Sequence, residues 1–132
     1  MLRLGLGVVV GIVVGFAIVM GGEALGHRVF PPPGGVDFTD PVAVKAMIAG
    51  MPVAALIMLV VGWAVAAFAA SAVALLVSQR DRRAGFIASG VVLAATVANL
   101  LMLPHPLWVS VTAVVGIGLA ALAADRLLAR RA

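Results

Sequence analysis

The sequence has no cysteine, no tyrosine, a single lysine (Lys45) and only 11% charged residues over its 132 positions. Lack of cysteine excludes a thiol nucleophile, an iron–sulfur ligand set, a thiolate zinc site and a disulfide framework. No glycine loop leads into a lysine, so a P-loop phosphate cradle is excluded too. The shortage of charge is the most informative lack. Soluble domains carry about 25% charged and about 45–50% apolar residues. This chain is 64% hydrophobic, with a mean hydropathy of +1.25. A water-soluble globule of that make-up would lack the polar residues to cover itself, and a disordered segment needs the opposite composition. What remains is an integral membrane protein, one domain by length.

A membrane-crossing helix needs roughly 20 mostly apolar residues, because the hydrocarbon core is about 30 Å thick. Four runs qualify: 4–24, 53–77, 84–103 and 107–124. The fold expected is an all-α, four-helix transmembrane bundle forming a single domain over 1–132. Met1-Leu2-Arg3 before an apolar run also fits a signal peptide. The run is longer than an h-region and has no small-x-small cleavage site near Glu23, so a retained first span is expected. Arg3, Arg80, Arg82, Arg83, Arg126, Arg130 and Arg131 fall on one side of the four-span path, and only Arg28 and Lys45 on the other. The positive-inside rule then puts both chain ends in the cytoplasm. These arginines are scattered over three short segments, which speaks for topology and anionic lipid rather than nucleic acid.

Small residues recur four apart in every span: Gly7, Gly11 and Gly15 in the first, Gly62, Ala66, Ala70 and Ala74 in the second. The third has Gly90, Ala94 and Ala98, and the fourth Gly116, Ala120 and Ala124. That spacing stacks them on one helix face, where backbones approach closely in lipid. Alanine is abundant enough to give such rows by chance, so only the glycine row is specific. It serves internal packing or contact with another copy or a partner subunit.

The extracytoplasmic loop, 26–50, holds Pro31-Pro32-Pro33-Gly34-Gly35, which is stiff and then turning. Thr39-Asp40-Pro41 reads as a helix cap, predicting a short interfacial helix from Val42 to Ala49. With this topology the remaining polar groups, Glu23, His27, Asp37, Asp40, Asn99 and His105, all belong to the outer half. Glu23 and His27 share a face if the first helix persists. A carboxylate there opposes the helix dipole, so Glu23 calls for a partner: His27, Arg28 or Lys45. Trp63, about 15 Å deep by helical rise, needs a protein neighbour, whereas Trp108 sits where tryptophan anchors a helix at the interface. Three roles fit the polar set. They tie helix ends and loops together, they coordinate a divalent metal through imidazole and carboxylate, or they form a proton or ion pathway. No serine lies near a histidine in sequence, so no catalytic residue is expected and the protein reads as non-enzymatic.

Glu23-Ala24-Leu25-Gly26-His27, Pro31-Pro32-Pro33 and Pro104-His105-Pro106-Leu107-Trp108 resemble the Glu-x-x-Gly-His, Pro-Pro-Pro and Pro-His-Pro-x-Trp pattern of a group of small bacterial four-span membrane proteins. The resemblance covers most of the chain and implies the same architecture, in the bacterial inner membrane, with no activity attached. Small multidrug transporters are similar in size and also carry a glutamate in the first helix. Here the glutamate is at the outer end and the aromatic-rich face is absent, so no substrate or coupling role transfers. The function expected is a helical subunit or scaffold working through helix–helix contacts, with lipid and other membrane subunits or further copies as partners. The alternative is a metal-binding or proton- or ion-coupled transport component built on Glu23, His27 and His105; no cofactor is expected except a divalent metal in the metal-binding form of that alternative.

Overall fold

A computed structural model describes residues 1–129; Arg130 and Arg131, counted among the cytoplasmic arginines above, lie outside the described residues. It shows five helices: α1 (Leu2–Val29), α2 (Pro41–Ala49), α3 (Val53–Val77), α4 (Arg82–Met102) and α5 (Leu107–Leu128). All but α2 are long and apolar enough to cross a membrane. The chain is therefore an all-helical, multi-pass membrane bundle.

Several ends follow directly from local chemistry. Asp40 caps α2 by accepting from the Val42 N–H at 3.0 Å, with Pro41 at the first helical position. Asp81 caps α4 through the Arg83 N–H at 2.9 Å. The helix α3 stops where Gln79 and Arg80 both take left-handed backbone conformations, φ 61° and 68°. Arg80 N–H then donates back to the Leu75 carbonyl, as in a Schellman termination. The first span is longer than expected. It stays helical past residue 24 through Glu23, Gly26 and His27, and ends only at Phe30, just before the prolines; proline disfavours helical backbone in the residue before it. The loop therefore begins about a turn later than 26.

The hub is α3, which packs against α1, α4 and α5, while α1 and α5 do not meet. Its contact surface is small: Ala66, Ala67, Ala70 and Ala74 are completely buried. The glycine row of α1 lies on this surface. A Cβ at Gly7 would fall 2.7 Å from the Ala74 carbonyl oxygen. One at Gly11 would strike the Ala70 carbonyl, and one at Gly15 would come within 2.9 Å of Ala70 Cβ. Only glycine permits this approach, and the row is fully engaged within the chain. On α4 the packing face is Ala84, Gly85, Ala88, Ser89, Val92 and Thr96. The row expected there, Gly90, Ala94 and Ala98, faces outward instead. In α5 the buried positions are Val109, Ala113, Ile117, Ala121, Ala124 and Asp125; of the row expected there, Ala124 is buried and Gly116 and Ala120 are half-buried.

The two ends of the bundle differ. The arginine end gathers Arg3, Arg82, Arg83 and Arg126 with Arg80. There Arg82 forks onto Asp125, Nε to Oδ1 at 2.8 Å and NH2 to Oδ2 at 2.6 Å, joining the start of α4 to the end of α5. Asp125 is only 7% exposed, and the same guanidinium lies 5.9 Å from the centre of the Phe86 ring, a cation–π distance. At the other end, the loop end, helix lengths are unequal. From the Gly15–Val92 contact, α1 runs on to Val29 and α4 only to Met102. By helical rise α1 reaches roughly 6 Å further, and α3 follows it to Val53 from its contact at Ala66.

Candidate functional site at the loop end

The persistence of α1 carries Glu23 and His27 on successive turns of one helix face. Both line a small cleft against α3, with Met51, Met58 and Leu59 across from them. Glu23 also borders a second cleft of about 160 Å³ between α1 and α4. Trp63 of α3 forms part of its wall, and Thr96 and Asn99 of α4 bring a hydroxyl and an amide to it. Thr96 is buried and three residues from Asn99, which puts the two polar groups on one face of α4. Glu23, itself exposed, thus borders a polar patch whose other walls are aliphatic and aromatic.

His105 belongs to this end through Trp63. Its ring stands edge-to-face on the buried indole, 6.1 Å between centroids at 73°. Its Nδ1 lies 3.1 Å from the Leu103 carbonyl oxygen. That carbonyl can only accept, so Nδ1 is the donor. The rigid Pro104-His105-Pro106 turn holds the ring in place, and it is the protein neighbour that the deep tryptophan required.

The remaining expected site residues are engaged elsewhere. Asp37 accepts from the Thr39 N–H at 2.9 Å and from the Thr39 hydroxyl at 2.6 Å. The hydroxyl bond first, and the N–H bond second, hold its carboxyl below the usual aspartate range. Asp40 is the α2 cap. None of the partners expected for Glu23, namely His27, Arg28 and Lys45, bonds to it; among the described residues the one salt bridge is Arg82–Asp125. Nor do any three His, Asp or Glu side chains gather as a metal-binding group among the described residues. Glu23, His27 and Asn99 therefore share adjoining clefts, His105 joins them through Trp63, and Asp37 and Asp40 serve the turn before α2.

Five residues that shape the two ends were missed in the sequence. Thr96 was passed over, although its i, i+3 spacing to Asn99 marks a shared face. Asp125 carried a signal, since an acid in the last turn of a helix opposes the dipole and calls for a cation. Met47, Met51 and Met58 gave none, because methionine in a hydrophobic run looks like filler. Comparison with protein-family models, with curated proteins and with solved structures found no match.

Proposed function

We propose that the chain is a small, non-enzymatic subunit of the bacterial inner membrane that associates through the lipid-facing row Gly90–Ala94–Ala98 of α4. The arginine end, and with it both chain ends, then lies in the cytoplasm. The supporting observation is the contrast between two rows of small residues. The Gly7–Gly11–Gly15 row is buried against α3, whereas Gly90, Ala94 and Ala98 are all exposed, with no atom within 4 Å of a Cβ built on Gly90. In lipid, helices associate where small residues let backbones come close, since there is no hydrophobic force to join them. This row is the face left open for a further copy or another membrane subunit.

A second reading is favoured by the cleft at Glu23, where Trp63, Thr96 and Asn99 share its lining with an ionisable group at the border of the span. Ionisable groups so placed mark ion or proton pathways. One set of variants separates the two. Ala94→Leu should abolish cross-linking between copies, or co-purification of a partner in mild detergent, while the bundle stays folded. Association that survives Ala94→Leu and Gly90→Leu rules the first reading out. Glu23→Gln should leave association intact, and should abolish proton or cation flux in vesicles only if the second reading holds.

A further inference from the structure

A cavity of about 430 Å³ lies at the loop end and does not belong to the Glu23–Asn99 cleft. The last turn of α1, the proline segment, α2 and the Met51-Pro52 turn line it, and it is open on one side. Its walls are apolar except for His27, and its other chemically distinctive groups are the thioethers of Met47 and Met51. Met51 and His27 also line the neighbouring cleft, where Met58 and Glu23 join them. The methionines are thus segregated. Met1, Met20 and Met102 are exposed, whereas Met47, Met51 and Met58, from α2, the turn and α3, are half-buried and line the two adjoining clefts that the exposed His27 borders.

We infer that His27, Met47 and Met51, with Met58 adjoining, form a binding site for a soft monovalent metal ion, Cu(I) or its surrogate Ag(I). Thioether and imidazole are the donors such ions select, whereas harder divalent ions prefer carboxylate and carbonyl oxygen. The carboxylates Asp37 and Asp40, which a divalent ion would want, are engaged at the start of α2. A cation held against apolar walls is favoured by a nearby counter-charge, and Glu23, one helical turn from His27, supplies one in the adjoining cleft. Methionine has three rotatable bonds and adapts to irregular space. The cavity leaves Met47 and Met51 room to turn their sulfurs toward the ion. The site is independent of the α4 row.

The test is titration of the full-length, detergent-purified chain with Ag(I), followed by calorimetry and by the methyl signals of isotopically labelled methionine. The result expected is saturable binding that shifts the Met47 and Met51 signals and leaves Met102 unmoved, with no competition from Zn(II). Met47→Leu and Met51→Leu nearly conserve volume and should fold. Each should weaken binding at least about tenfold, as should His27→Ala, while Met102→Leu changes nothing. The inference is overturned if the unmodified chain does not bind Ag(I). Binding that is indifferent to both Met47→Leu and Met51→Leu, or that Zn(II) displaces, overturns it equally.

Discussion

The arginine end and the loop end are built from the same aliphatic stock and arrive at opposite solutions. At the arginine end, helices meet through glycine and alanine, and Arg82 and Asp125 complete each other across α4 and α5. At the loop end the contacts are made by Trp63, His105, Phe30 and three methionines, and clefts remain between them. Small side chains close an interface; large and flexible ones leave gaps at the same helix spacing. The chain therefore fixes its bundle at one end and keeps space, with polar and soft donors, at the other.

The comparison is broken most severely by Gly11→Leu. The new side chain has no room against the Ala70 carbonyl and Ala74, and overpacking of a tight core costs about 1–3 kcal/mol or more. Loss of a monodisperse helical species in detergent is expected, whereas Gly90→Leu should leave the monomer fold as it is. Asp125→Ala comes next. It strips a mostly buried carboxylate from a guanidinium that is 61% exposed. Water takes over much of the lost pairing, so a cost of about 1 kcal/mol is expected, read as a lower midpoint of thermal unfolding. Asp125→Asn should recover part of it.

His105→Ala sharpens the comparison at the loop end. It removes the edge contact on Trp63, worth about 0.5–1.5 kcal/mol. In a Trp108→Phe background it should shift the Trp63 fluorescence and leave the Arg82–Asp125 end untouched. The smallest effect concerns Asp37, whose carboxyl titrates below the usual aspartate range because Thr39 donates to it twice. The turn it stabilises is intact above the ordinary aspartate pKa and loosens as pH falls through the lowered one. Thr39→Ala should return the Asp37 titration toward its ordinary value by carboxyl NMR. An Asp37 midpoint that does not move would sever the link between those hydrogen bonds and the shift.

The four spans, the Asp40–Pro41 cap and the glycine row of α1 were legible because each rests on a local rule: length, capping geometry, absence of a Cβ. The inward face of α4 was not. Residues on both sides of a membrane helix are apolar, so periodicity does not separate Ala84–Ala88 from Gly90–Ala94 as it would for a helix in water. Of the expected site, Glu23, His27 and Asn99 do share one end, because helix spacing and topology determine that much. The pairing of His105 with Trp63 joins residues 42 positions apart, and that of Arg82 with Asp125 spans 43. Neither leaves a mark in local sequence.

The unequal reach of the helices has a consequence for the surrounding lipid. A flat slab matched to α4 leaves the last turn of α1 and the first of α3 standing proud of it. The bilayer must thicken locally around that pair, or the bundle must lean to sink it, at a cost of fractions of a kcal/mol per Å. Membranes with longer acyl chains should therefore hold this protein upright, and thinner ones should tip it toward the α1–α3 side.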